Sequence, residues 1–360
     1  MSGGSDRHLR QANGDPRLPV TILTGYLGAG KTTCLNAFLA TPEAAGSAVV
    51  VNEFGEIDVD GAVLAGQLGN GADLLRLPNG CVCCEVQEDL AQALLHLAAR
   101  GGLRRCIVET SGLAVPGAIL RGLHHDPDLR RAAAAGPVLA VCAADRIARQ
   151  LDRFPEVARQ IALADRILLR KTDLATAESA AGARAAISAL NPFAAITLPG
   201  NPAADFAPPR VARRAPDAPG NPPDHGQDDL GHDNYGHEDH GHGDHGYGDH
   251  GHGIGSFTVR FDRPLDPDRF RDAMSFLILR HADNLLRAKG ILHFDGDARG
   301  HLVNIVHDVY DSRPIDADAA DALVFIGCDL PADAIRTDLL SCRIAATATR
   351  DPTSKRGSSR

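Results

Sequence analysis

The chain has 360 residues, 44% of them apolar, and a formal net charge of -9, which suffices for one large domain and a smaller one. No run approaches the roughly 18 apolar residues of a membrane span, and the polar start MSGGSDRHLRQANGDPR lacks the apolar stretch of a signal peptide. With no basic stripe either, the composition predicts a cytoplasmic protein whose partners include neither a membrane nor a nucleic acid.

Residues 1–17 are predicted to be disordered. From residue 18, LPVTILTGYLGAGKTTCLNAFLA reads as an apolar strand, a glycine-rich turn and a helix. Further β-rich runs follow at SAVVVNEF, DLLRLP, RRCIVET, GPVLAVCAA and DRILLRKTD, with helical stretches such as EDLAQALLHLAAR between several of them. This alternation predicts an α/β fold over 18–198, a mostly parallel sheet covered by helices, as in P-loop nucleotide-binding proteins.

Composition then shifts. Residues 199–223 are rich in Pro and Ala, and residues 224–252 hold eight His, eight Gly, seven Asp and one Glu without a Lys or Arg. That segment accounts for -8 of the net charge and has too little apolar surface to fold, so 199–254 is predicted to be a disordered linker. Its imidazoles, among them His237, His240, His242 and His245, suit borderline transition metals and predict a flexible, multi-ion binding segment.

Ordinary sequence resumes over 255–345. A strand at SFTVRFDRPLD, a helix through RFRDAMSFLILRHADNLLRA, strands at GILHFDG, HLVNIVHDVYDS and ALVFIGCDL, and a last short helix give the order β-α-β-β-β-α of a small α+β domain. Residues 346–360 are predicted to be a disordered tail.

The chemistry concentrates in the first domain. Gly25-Tyr26-Leu27-Gly28-Ala29-Gly30-Lys31-Thr32 matches the Walker A pattern, in which glycine amides cradle phosphates, the lysine reaches the β/γ oxygens and the Thr hydroxyl holds Mg²⁺. Gly25, Gly28, Ala29, Gly30, Lys31, Thr32 and Thr33 are therefore the predicted phosphate contacts. The run Cys106-Ile107-Val108-Glu109-Thr110-Ser111-Gly112 is a strand ending in an acid. Glu109 stands where a Walker B carboxylate holds Mg²⁺ through water, with the Gly112 amide near the γ-phosphate. Lys171 and Asp173 follow a later strand where guanine-specific proteins carry Asn-Lys-x-Asp, with Arg170 in place of the Asn. Asp173 could accept both guanine N1 and N2 hydrogens, a discrimination that a buried acceptor enforces.

With GYLGAGKTT, VNEFGE, GCVCCEV, ETSGLAVP and RILLRKTDL in this order, the chain resembles the CobW family of P-loop GTPases, especially its zinc-binding members. The resemblance covers about residues 18 to 200, and DNLLRAKGIL with ALVFIGCDLP extends it over the C-terminal domain. It implies GTP hydrolysis coupled to metal binding and delivery to a client metalloprotein, with GTP, Mg²⁺ and Zn²⁺ as cofactors or cargo. It also implies that Glu109 and Gly112 form the Walker B Glu-x-x-Gly.

Eight cysteines in a reducing compartment favour metal-binding over disulfides where they cluster, as at Cys81, Cys83 and Cys84. If that segment is extended, Cys81 and Cys83 share a face and Cys84 points away, so a tetrahedral Zn²⁺ site needs another ligand. Glu53, Glu56 and Asp58 are the nearest candidates, and the resemblance favours Glu56 with Cys83. His124 and His125 are extra candidates without a supporting pattern. NEFGEID lies where switch segments sense the γ-phosphate, which predicts different Zn²⁺ affinities in the GTP and GDP forms. Cys34, Cys106, Cys142 and Cys328 sit singly in apolar patterns and read as core thiols. The competing functions are a metal buffer with a regulatory nucleotide site and a small-molecule kinase or ATPase. A homodimer is the self-association to test.

Overall fold

The computed structural model describes residues 15–52, 73–76, 83–207, 253–316 and 321–344, the side chains of 52, 73, 74, 76 and 83–87 excepted. The N-terminal domain is built on seven parallel strands in the order β3-β2-β4-β1-β5-β6-β7. These are β1 (Leu18–Thr24), β2 (Ser47–Asn52), β3 (Asp73–Arg76), β4 (Arg105–Thr110), β5 (Ala133–Ala143), β6 (Arg166–Arg170) and β7 (Ala195–Thr197). Helices fill the connections: α1 (Lys31–Leu39), α2 (Cys83–Arg100), α3 (Gly117–His125), α4 (Pro127–Ala132), α5 (Ile147–Arg153), α6 (Pro155–Leu163) and α7 (Ala177–Leu190). The expected parallel sheet is thus present. Its strands are apolar throughout because both faces are covered: Leu18, Val20, Ile22 and Leu23 of β1 have no exposed surface.

The chain leaves β1 toward β2 on one side, and later places β5 on the other, so the sheet switches direction at β1. Ligands bind at such a point, beyond the carboxyl ends of the strands. Register brings the relevant ends level, with Leu23 beside Glu109 on β4 and Thr24 beside Ala140 on β5.

Packed structure continues past the expected boundary at 198. Asn201 caps the short helix α8 (Pro202–Asp205), accepting from the amides of Ala203 and Ala204. Phe206 is buried and stacks on Phe38 of α1 with ring centroids 4.4 Å apart. Arg105 and Arg166 donate to the Phe206 and Ala204 carbonyls at 2.9 and 2.7 Å. Composition marks this stretch as Pro/Ala-rich, yet one phenylalanine and two buried arginine contacts hold it to the core.

The C-terminal domain is a five-stranded antiparallel sheet, β11-β10-β9-β12-β8, with two helices. Its order is β8 (Ile254–Arg260), α9 (Pro267–His281), β9 (Leu285–His293), β10 (Gly300–Val306), β11 (Val309–Ile315), β12 (Ala322–Cys328) and α10 (Ala332–Leu340). This corrects the expected β-α-β-β-β-α order in two places. HLVNIVHDVYDS is a hairpin, not one strand: Val306 pairs with Val309 across a two-residue turn at His307-Asp308, and His307 takes the left-handed φ of 53°. Such turns usually announce themselves by Asn-Gly or Asp-Gly, and this one does not. The helix expected through residue 288 stops at His281, because Leu285 to Ala288 are drawn into β9, where Leu285 and Ala288 enter the core.

The two domains share a core. Ile254, Leu286, Val306, Val324 and Ile326 from the second sheet cluster with Val138, Ile161, Leu163 and Ile187 of the first domain. Across the same boundary Arg287 of β9, 3% exposed, donates to the Leu163 carbonyl at 2.6 Å and pairs with Asp165 at 2.5 Å, and Lys289 pairs with Asp165 at 2.8 Å.

Candidate nucleotide site

The turn between β1 and α1 is shaped by glycine. Gly25, Gly28 and Gly30 have φ of 141°, 68° and 101°, values that L side chains rarely adopt. At Gly25 a Cβ would stand 2.3 Å from the Val141 carbonyl oxygen of β5. Gly30 is the N-cap of α1 and offers no side chain to its first amides, leaving these N–H groups and the positive end of the helix dipole directed at an anion.

Opposite this turn, β4 delivers Glu109, 5% exposed, and its Oε1 accepts a 2.9 Å hydrogen bond from Thr32 Oγ1. The two residues expected to serve one Mg²⁺ ion are thus brought together from 77 positions apart. Their hydroxyl and carboxylate are hard oxygen donors, the chemistry Mg²⁺ requires. Lys31 Nζ donates to the Gly25 carbonyl at 2.9 Å, folded back over the loop it belongs to. A cavity of about 290 Å³ lies between these groups, lined by Gly28, Gly30, Lys31, Thr32, Thr33, Glu109, Gly112 and Lys171, together with Leu27, Val51, Thr110 and Ser111. Ala29 is buried beneath the turn and packs in the core under α1.

Gly112 closes the far side. A Cβ there would fall 2.7 Å from the Leu27 amide nitrogen, so only glycine lets this loop touch the phosphate-binding turn. Sequence reasoning missed two groups around it. Ser111 buries its hydroxyl beside the cavity with no hydrogen-bond partner among the described residues. Gln160 of α6, 2% exposed, donates from Nε2 to the carbonyls of Gly112 at 3.2 Å and Ala114 at 2.9 Å. Ser111 lay inside a motif already marked. Nothing in PEVARQIAL marks Gln160.

Lys171 follows β6 with φ of 56°, and its Nζ reaches the Gly28 carbonyl at 2.7 Å, tying the base-side loop to the phosphate turn. Asp173 is exposed, which corrects the expectation of a buried acceptor: it sits in a surface turn and is free to meet a base edge. Arg170 has a structural task of its own. It turns inward and forms an ion pair with Asp205, both side chains largely buried. Burial pushes the Asp205 carboxyl up, and Arg170 opposes this.

Of the metal candidates, Glu53, Glu56, Asp58 and Cys81 lie outside the described residues, as do His237, His240, His242 and His245. For Cys83 and Cys84 the backbone is described: they open helix α2. The extended alternative therefore does not hold for this pair, since consecutive helical residues are about 100° apart. Among the described residues no three His, Cys, Asp or Glu side chains form a metal-holding group. His125 pairs instead with Asp308 of the C-terminal turn at 3.1 Å. The other thiols match their reading as core groups. Burial pushes Cys106 and Cys142 up to about 12 and raises Cys34 and Cys328. Cys342, passed over in the sequence, is likewise buried and raised.

Comparison with known proteins agrees with this geometry. The family described as CobW/HypB/UreG, nucleotide-binding domain, matches residues 19–197, and the cobalamin synthesis protein cobW C-terminal domain matches residues 254–343. The zinc chaperone YjiA of Escherichia coli is 31% identical over 344 residues, spanning 91% of this chain and 99% of its own. The zinc chaperone CobW of Pseudomonas aeruginosa is 36% identical over 208 residues, 49% of this chain and 55% of its own. The crystal structure of the zinc-bound YjiA GTPase from E. coli superposes with a TM-score of 0.63 at 26% identity, covering 91% of this chain and 99% of that one. No helix among the described residues is long and apolar enough to cross a membrane.

Proposed function

Because this chain belongs to the CobW/HypB/UreG family of nucleotide-binding proteins, we propose that it is a GTP-hydrolysing zinc metallochaperone, which uses its nucleotide state to time the release of Zn²⁺ to a client metalloprotein. The observation that carries the reading is the Thr32–Glu109 hydrogen bond across a glycine-built phosphate turn. Supporting it are the relatives named zinc chaperones and the zinc-bound GTPase of the same fold.

The reaction converts GTP and water to GDP and inorganic phosphate. The amides of residues 28–33 and the α1 N-terminus bind the phosphates, and Lys31 exchanges its bond to the Gly25 carbonyl for the β/γ oxygens. Thr32 and Glu109 would hold Mg²⁺, which supplies charge neutralisation on the phosphates. Gly112 brings its amide to the γ-phosphate, and Lys171 and Asp173 meet the guanine. Catalysis here is positioning and charge stabilisation. Zn²⁺ is the cargo, for which Glu56, Cys81, Cys83 and Cys84 are the proposed ligands, with the histidine-rich segment as a reservoir. The site residues belong to this proposal, with the first domain running from residue 18 through 207 and the second starting at 254.

Phosphate release from GTP by the purified chain, compared with Lys31→Ala and with ATP as competitor, tests the reading. The proposal expects slow turnover of GTP with Mg²⁺, a loss of about a hundredfold or more in the variant, and weak competition by ATP. Tight GTP binding without turnover would move the function to a metal buffer with a regulatory nucleotide site. Equal use of ATP would move it to the kinase or ATPase class.

A further inference from the structure

We propose that Gln160 is a positioning residue for GTP hydrolysis, the fixed point that holds the Gly112 loop in the place where it meets the γ-phosphate. The inference rests on the assignment of Gly112 to that phosphate.

Gln160 is out of place by composition. Its neighbours on α6, Val157, Ala158, Ile161, Ala162 and Leu163, are buried apolar residues, and Gln160 is as buried as they are. An amide in such surroundings is unfavourable unless it is hydrogen-bonded, a cost that an apolar side chain there would not carry. Both bonds its Nε2 makes go to one loop, at the carbonyls of Gly112 and Ala114, 48 and 46 residues away. A side chain that spans such a distance to bond two alternate carbonyls fixes the path of the backbone between them.

The loop is also met by Thr24 Oγ1 of β1, which reaches the Ala114 carbonyl at 3.5 Å. Its turn is closed by the Ala114 amide on the Ser111 carbonyl at 3.1 Å. On the opposite side Gly112 lies against the Leu27 backbone with no room for a Cβ. Gly112 is therefore held between the phosphate turn and Gln160, and displacement of the loop must lengthen the bonds to Gln160. The helix behind is itself fixed, since Arg287 of the C-terminal sheet donates to the Leu163 carbonyl at 2.6 Å, one turn after Gln160. The phosphate-sensing loop thus rests on a helix shared by both domains.

Two variants of the full chain, Gln160→Leu and Gln160→Glu, separate positioning from mere packing. For Gln160→Leu we expect kcat for GTP to fall by about tenfold to a hundredfold, the scale of a misplaced supporting group, while GDP affinity is unchanged. Affinity for a non-hydrolysable GTP analogue should fall relative to GDP. For Gln160→Glu the buried carboxylate accepts but cannot donate, so kcat should be low at neutral pH. It should recover on acidification, as the raised pKa of a buried carboxyl restores an O–H donor. Unchanged kcat in Gln160→Leu, or parallel loss of GDP affinity and kcat in both variants, would overturn the proposal. Absence of GTP turnover in the unmodified chain would count against the GTPase reading instead, and the analogue-to-GDP affinity ratio of Gln160→Leu would still decide the role of Gln160.

Discussion

Asp165 is where the two domains meet through charge. Burial alone would raise its carboxyl, but Arg287 and Lys289, with the Val138 amide, outweigh this and hold it well below the usual carboxylate range. A carboxyl whose folded pKa is depressed contributes stability above its unfolded pKa of about 4 and loses it as pH falls toward the folded value. Asp165→Asn leaves Arg287, only 3% exposed, without its charge partner. We expect about 3–5 kcal/mol of lost stability at neutral pH, read by urea unfolding, and a difference from the unmodified chain that narrows below pH 4. None of this was visible in the sequence, where Asp165 and Arg287 stand 122 positions apart. Lys31, Thr32 and Glu109, the proposed phosphate and Mg²⁺ groups, stand out in the sequence because such groups are contiguous along one turn and at the end of one strand. Gln160 and Asp165 act on groups that only the folded chain brings near.

Elements were legible to the degree that their pattern was local. The parallel strands read correctly as apolar runs, since burial on both faces leaves no alternation to misjudge. The cysteine segment has no local pattern that separates strand from helix, and α2 begins at Cys83. The β10–β11 turn was missed because His307-Asp308 carries no glycine. That turn packs tightly on the first domain: a Cβ on Gly117, the first residue of α3, would lie 2.4 Å from His307 Nε2. Burial depresses the pKa of His307, helped by Arg121 and opposed by Asp308, and burial likewise lowers His124 on α3. Both folded values lie below 6.5, so the unfolded chain binds protons first and stability falls as pH drops through that value. His307→Asn keeps the left-handed turn, which Asn tolerates, and removes one such group. The fall in Tm between pH 7.5 and 5.5 should be smaller in this variant than in the unmodified chain; an equal fall would show that the turn does not titrate in this way.

At the scale of the whole molecule, the glycine-built turn lies at the sheet's switch point, and α6, which bonds the Gly112 loop through Gln160, also meets the C-terminal domain at Leu163. The shared core and the bond from Arg287 to the Leu163 carbonyl tie α6, which carries Gln160, to the C-terminal sheet. Arg166 and Arg105 hold the chain at Ala204 and Phe206, before the histidine-rich residues 224–252 in the sequence. Deleting residues 224–252 should lower the number of transition-metal ions bound per chain and leave GTP hydrolysis intact, as measured by metal analysis beside phosphate release. Loss of hydrolysis would make the segment part of the catalytic unit. The central claim is that nucleotide state sets metal affinity, and it is tested most directly on the protein lacking residues 224–252, by chelator competition for Zn²⁺ with GDP and with a non-hydrolysable GTP analogue. A difference of about tenfold, equivalent to 1.4 kcal/mol of coupling between the sites, is the predicted result; equally tight binding in the two nucleotide states would contradict the account and leave a static metal site.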